Sequence, residues 1–246
     1  MALARDDGSD ARERAAAHVS VPDLGPAPFP GFKVGDPIPL GSGRFESRWA
    51  KVRVTTVARA APRRGARAVA RLSARTPEET TNLVLALSRV EDGRGRLWVR
   101  ARLPVLPAGT TGWVRRSALG GYGVVTTRLV VDRRALRATL LRDGHPVFRA
   151  PVGVGTPSAP TPRGEFYVRN KLTDYRSPFY GPVAFGTSAR SPTLTDWPAG
   201  GFVGIHGTNQ PALLPGRVSH GCVRLRNADI RRLARLMPVG TPLTIR

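Results

Sequence analysis

The chain has 246 residues, with 39 Lys and Arg against 17 Asp and Glu, a formal net charge of +22. That length holds one large domain or two modest ones, and 41% hydrophobic residues can bury a core, which excludes disorder throughout. No run of about eighteen apolar residues offers a membrane-spanning helix, and the charged start MALARDDGSDARER has no apolar stretch that reads as a secretory signal. A single cysteine, Cys222, excludes an internal disulfide framework and any four-cysteine zinc or iron–sulfur site.

Almost all of the positive charge is arginine; Lys33, Lys51 and Lys171 are the lysines. With Ala, Gly and Pro abundant, this bias follows a GC-rich coding background, and the charges are scattered, not blocked. A nucleic-acid partner is therefore not expected, whereas docking on an anionic cell-envelope polymer remains open to such a surface.

Residues 1–47 read as a Pro/Gly-rich tail or linker, with Pro22, Pro26, Pro28, Pro30, Pro37 and Pro39 removing backbone donors and favouring extended chain. From 48 to 120 the pattern changes to short β runs, WAKVRVTTVARA, RLWVRARLPV and TTGWVRRSAL, which predict a small β-barrel module. Within it, TPEETTNLVLALSRVEDGRGR is two-valued: Leu83, Leu85 and Leu87 alternate as in a strand, while Pro77, Glu78 and Glu79 suit a helix start. G-T-T-G-W-V at 109–114 resembles the end of the bacterial SH3-like modules that accompany cell-wall enzymes.

Residues 121–246 form a third region, also β-dominated. VVTTRLVVD, ALRATLLRDGHPVFRAPVGVG and PTPRGEFYV read as strands, and Asp143-Gly144 between two of them is a hairpin signal. Asn227 is placed to cap a helix whose Ile230, Leu233, Ala234 and Met237 recur at helical spacing; Pro238 ends it and TPLTIR makes a last strand. The fold class expected is mainly β with one C-terminal helix.

The four histidines are His18, His145, His206 and His220. His18 lies in the tail, and His145 follows the Asp-Gly turn as a loop residue. His206 and His220 bracket the stretch GIHGTNQPALLPGRVSHGCVRLRN, which holds Cys222. A thiol attacks poorly until deprotonated, and an imidazole in reach takes the proton and returns it to a leaving amine. Gly221 allows the backbone to bend so that successive N–H groups converge on an oxyanion. Arg224, two residues past Cys222, shares its face in an extended chain and suits a carboxylate. Taken singly, a cysteine or a histidine is more often a packed structural residue. A Cys-His₂ zinc site from His206, His220 and Cys222 is the competing arrangement. It is disfavoured because His220 and Cys222 are so close in sequence and no further ligand stands near, so neither metal nor cofactor is expected.

Together, I-H-G-T, a loop, then S-H-G-C-V-R-L resemble the catalytic signature of the L,D-transpeptidase (YkuD-type) family, and the likeness extends over about 122–246. The resemblance implies a β-sandwich catalytic domain with Cys222 as the nucleophile that forms a thioester. It implies His206 as general base, steered by the carbonyl of Gly207, and an oxyanion hole from the amides of His220, Gly221 and Cys222. Arg224, Ser219 and Tyr180 are the implied substrate contacts, with Tyr175 and Tyr180 on a flap from KLTDYRSPFYG. The implied partners are donor and acceptor peptidoglycan stem peptides, the implied product a 3→3 cross-link, and the implied place of action extracytoplasmic. The open alternatives are an L,D-carboxypeptidase, another cysteine peptidase, and a non-catalytic wall-binding protein.

Overall fold

The computed structural model describes residues 35–41, 43, 45–173, 177–191 and 201–246. The first part of this chain is one sheet of short strands: β1 (Ile38–Pro39), β2 (Ser47–Val52), β3 (Thr56–Arg59), β4 (Ala68–Leu72), β5 (Leu83–Glu91), β6 (Leu97–Arg102), β7 (Thr111–Arg115) and β8 (Leu119–Val125). Their spatial order is β4-β3-β7-β6-β5-β2-β8, with β1 on β5. Ala50, Val52, Val84, Val99, Ala101 and Val114 alternate inward and fill its core. Within the proline-rich stretch, Ile38 pairs with Arg89, and the buried Leu40 donates its N–H to the Leu87 carbonyl at 3.0 Å. The two-valued stretch resolves as the strand β5, where alternating leucines find partners on both sides. Pro77-Glu78-Glu79 forms a turn instead of a helix start, closed by Glu79 N–H to the Thr76 carbonyl at 3.0 Å.

The second part comprises β9 (Thr127–Asp132), β10 (Arg137–Arg142), β11 (His145–Pro151), β12 (Gly153–Gly155), β13 (Gly164–Leu172), β14 (Ala184–Arg190), β15 (Phe202–His206), β16 (Gly216–Ser219), β17 (Val223–Arg224), β18 (Pro242–Ile245) and a helix α1 (Asn227–Leu236). The strands follow the order β11-β10-β9-β18-β13-β14-β15-β17-β12-β16. The long β13 turns this path into two layers: Gly164–Tyr167 pairs with β18, and the following residues pair with β14. Leu129, Leu140 and Phe148 from one layer meet Phe185, Val203 and Ile205 from the other in a single core. Ile230 and Leu233 of α1 and the following Met237 complete it. The chain is thus mainly β, with one α-helix among the described residues, as the alternating runs predict.

Asp143 and Gly144 connect β10 and β11 with φ of 51° and 81°, the positive pair that a tight hairpin turn demands. His145 is exposed at the start of β11, just after that turn. Asn227 departs from expectation. It opens α1 without capping it, because its side-chain oxygen accepts the Thr208 N–H at 3.0 Å, in the loop after β15.

The two parts are joined by contacts of both kinds. Leu83 and Leu85 of β5 bury Tyr167 of β13, with Trp49 and Val239 packed alongside. The Tyr167 hydroxyl donates to the Leu83 carbonyl at 3.0 Å, and burial pushes its ionisation above the ordinary phenol range. A Cβ on Gly123 or Gly240 would strike the Trp49 indole, so both glycines are required by the close approach. Beside this apolar contact the Glu78 turn docks on β13, where Arg169 Nη2 pairs with Glu78 Oε2 at 3.1 Å and Asn170 Nδ2 donates to the same oxygen at 3.1 Å.

Candidate active site

The site is built where β15 and β17 run side by side. They pair in parallel with Ile205 opposite Val223 and His206 opposite Arg224. Continued one step, that register sets Gly204 opposite Cys222, and the Gly204 N–H does donate to Cys222 Sγ at 3.3 Å. Side chains alternate across a strand, so Cys222, Arg224 and His206 face the same way. Cys222 is 7% exposed, a buried sulfur at the rim of the core.

His206 is fixed at its other end. Its Nδ1 lies 2.6 Å from the Gly207 carbonyl, a bond that sets the proton on Nδ1 and leaves Nε2 as the basic nitrogen. Gly207 itself has no room for a side chain: a Cβ there would meet the Asn227 side-chain oxygen and Gly181. Asn227, by holding the Thr208 N–H, therefore anchors the carbonyl that orients the histidine. Aromatic rings wall the imidazole, with Tyr180 edge-on at 4.8 Å and Phe179 at 6.2 Å between centroids. Phe179 also stacks under the Arg224 guanidinium at 4.5 Å, and the Arg224 Nε is buried without a hydrogen-bond partner.

The turn preceding β17 has its own scaffold. Ser219 is buried; its hydroxyl donates to the Cys222 carbonyl at 2.6 Å and accepts the Gly221 N–H at 3.1 Å. Ser219 Oγ is engaged in shaping the turn. The Gly221 N–H is thus engaged by Ser219 in this conformation. Gly221 has φ of 126°, a conformation only glycine adopts readily. Its carbonyl accepts the Thr161 hydroxyl at 2.8 Å, while Thr161 Oγ1 accepts the Gly155 N–H at 2.8 Å. In a trans peptide the C=O and N–H point oppositely, so Thr161, by holding the Gly221 carbonyl, aims the Cys222 N–H away from itself.

Of the residues expected at the site, Cys222, His206, Gly207, Arg224 and Tyr180 come together, and His220 is exposed at the tip of the turn. Tyr175 lies outside the described residues. Sequence reasoning missed Phe179, Asn227 as an anchor, and Thr161. The last two act across loops, and P-T-P-R-G offered only a turn signal. Among the described residues, no group of three His, Cys, Asp or Glu side chains is placed to hold a metal ion.

The β-sandwich presents a cysteine and a carbonyl-braced histidine beside one another at two parallel strands, a pair of groups whose chemistry suits acyl transfer. Comparison with known proteins agrees. The family model of the YkuD L,D-transpeptidase catalytic domain matches residues 126–245. YkuD of Bacillus subtilis is 38% identical over 117 residues, which cover 48% of this chain and 64% of that protein. YqjB of Bacillus subtilis is 30% identical over 125 residues, covering 48% of this chain and 69% of the relative. A solved structure of an Enterococcus faecium L,D-transpeptidase is similar at 26% identity and a TM-score of 0.40, over 49% of each chain. The chain belongs to the L,D-transpeptidase family. It spans somewhat under two thirds of the YkuD relative that it matches.

Proposed function

We propose that the chain is a cysteine-dependent L,D-transpeptidase acting on peptidoglycan stem peptides outside the cytoplasmic membrane. Cys222 Sγ attacks the carbonyl that precedes the terminal D-residue of a donor stem. As the S–C bond forms, the thiol proton passes to His206 Nε2, and the negative charge on the carbonyl oxygen is met by the His220 and Cys222 amides. Collapse breaks the C–N bond, and His206 returns the proton to the departing amine. An acceptor amine on a neighbouring stem then attacks the thioester, forming the 3→3 amide bond and restoring the thiol. Arg224, cushioned on Phe179, suits a stem carboxylate, and Tyr180 beside His206 lines the approach.

The observation that carries this reading is the strand register that puts Cys222 and His206 on one face, with the Gly207 carbonyl 2.6 Å from Nδ1. A solved L,D-transpeptidase is described in complex with imipenem, and carbapenem acylation supplies the test. Intact-mass spectrometry should show one carbapenem adduct, lost in Cys222→Ala. Incubation with a disaccharide-tetrapeptide should give a dimer and free D-alanine; release of D-alanine with no dimer marks the carboxypeptidase instead. A folded protein that keeps its mass under both conditions refutes the proposal.

A further inference from the structure

Away from the cysteine–histidine site, the turn between β9 and β10 gathers positive charge around Arg133. The Arg133 Nη1 donates to the Thr161 carbonyl at 2.7 Å, and its own carbonyl accepts Arg217 Nη2 at 3.2 Å. Its Nε is buried without a hydrogen-bond partner. Burial, and after it the charges of Arg163, Arg217 and Arg134, disfavour its protonated form. Those three neighbours are exposed.

Beside this cluster lies an open groove of about 360 Å³, with Leu136, Ala150, Pro151 and Pro215 as apolar lining and Arg137 and Arg149 as its cations. The register places Arg137 opposite Pro151, with Arg149 two residues away on β11. Both arginines therefore share one outward face, about 7–8 Å apart. The turn is pinned at this point: Leu136 takes a left-handed φ of 48°, and its carbonyl accepts the Val152 N–H at 2.8 Å.

Among the described residues, none of the arginines of the cluster and the groove is in an ion pair. The carboxylates near them in sequence are engaged otherwise. Asp132 accepts the Arg134 and Ala135 N–H groups and pairs with Arg246, and Glu165 is held by Arg128 and Thr244. Like charges gathered in this way repel one another, and a polyanion laid between them relieves the repulsion and releases its own counterions. The guanidiniums are spread too widely for one small anion, which favours a chain of repeating charges. The described lining of the groove holds no aromatic ring on which a nucleic-acid base could stack. A concave groove also fits a chain better than a flat lipid surface, and its apolar floor suits uncharged links between the charges.

We propose that this groove and the Arg133 cluster form a docking surface for a phosphodiester polymer, an anionic chain whose phosphates alternate with short uncharged links. The surface is tied to the nucleophile turn through one residue, since Thr161, held by Arg133, bonds the Gly221 carbonyl. A docked polymer thus holds the domain that carries Cys222 against the polymer's own surroundings.

The test measures binding of a synthetic poly(glycerol phosphate) oligomer to the full chain by calorimetry across a salt series. Replacing the exposed Arg134, Arg137, Arg149 and Arg217 together by Gln should weaken binding about tenfold or more and flatten its salt dependence. A control variant takes the same charge from the exposed Arg53, Arg64, Arg67 and Arg71, and should bind the oligomer within about threefold of the parent. Equal loss in the two variants would show diffuse attraction to net charge and overturn the proposal, as would no loss in the first. Single-stranded DNA with the same number of phosphates and phosphatidylglycerol vesicles should both bind the parent more weakly; either one matching the oligomer overturns the choice of partner. Should the four-residue variant unfold, the pair Arg137→Gln and Arg149→Gln gives the same contrast at about threefold or more. Repeating the titration in Cys222→Ala should change nothing, so the outcome is independent of whether the protein forms an acyl-enzyme.

Discussion

Replacing Thr161 with valine keeps the shape of the side chain and removes its hydroxyl. That hydroxyl bridges two backbone groups, the Gly155 N–H and the Gly221 carbonyl, each at 2.8 Å, at a position 1% exposed. Leaving two buried polar groups without this partner should cost about 2–4 kcal/mol of stability, at about 1–3 kcal/mol per group with partial relaxation. The larger consequence is for the Cys222 amide, whose direction follows the Gly221 carbonyl. If that amide stabilises an oxyanion, its misalignment should slow acylation up to the worth of one donor, about 2.7–4 kcal/mol or 10²–10³ in rate. Stopped-flow absorbance can follow acylation by a carbapenem, and iodoacetamide can follow alkylation of the same sulfur. Alkylation displaces iodide without a tetrahedral oxyanion, so it reports the thiolate alone. The expected result for Thr161→Val is slow acylation with near-normal alkylation, and recovery in Thr161→Ser. Equal slowing of both reactions would show that the hydroxyl serves the turn's integrity and refute the alignment argument.

Three further outcomes follow from hydrogen-bonded side chains elsewhere in the fold. Asn227→Ala removes the acceptor of the Thr208 N–H and loosens the loop that carries the Gly207 carbonyl; kcat should fall about tenfold or more with little change in KM, measured by D-alanine release. For Asp92, burial favours the neutral acid but is outweighed by hydrogen bonds from Arg96 and Trp98, which hold the carboxyl below the usual range. Its stabilisation is therefore present above about pH 4 and lost as pH falls further, and Asp92→Asn should cost about 1.5–3 kcal/mol at neutral pH and flatten the acid limb of a Tm profile. Tyr167 binds its proton more tightly folded than unfolded, so its contribution is complete below pH of about 10 and declines above it. Urea titrations of Tyr167→Phe should show about 1–3 kcal/mol less stability near neutrality and a shallower alkaline fall.

What the sequence reveals depends on how local the cause is. The Asp143-Gly144 hairpin is legible because two adjacent residues supply the positive φ values. The alternation of Leu83, Leu85 and Leu87 is equally local, yet the competing Pro77-Glu78-Glu79 signal is settled only by partners in β2 and β6. The proposed pairing of His206 with Cys222 is legible because a family signature carries both residues, not because spacing dictates it. Asn227 reads as a helix cap since capping is its commonest local use; the side chain instead serves an amide 19 residues away. Nothing in the sequence around Ser219 signals that its hydroxyl bonds to the Cys222 carbonyl and the Gly221 N–H within its own turn. Thr161 acts on Gly221 across 60 residues of chain, and the short-range pattern around it contains nothing of that partnership.

The Trp49 and Tyr167 contact bears on where this protein can be divided. The family match begins at residue 126, and only Thr126 separates β8 from β9. A fragment cut at that point would keep every residue of the cysteine–histidine site. It would also strip the Leu83 carbonyl from the Tyr167 hydroxyl and the Glu78 carboxylate from Arg169. It would open the apolar seat that Trp49 fills beside Gly240. The start of the family match therefore divides a shared hydrophobic seam. The family match contains the cysteine and the histidine, and the packing that supports their domain extends further towards the N-terminus than the match does.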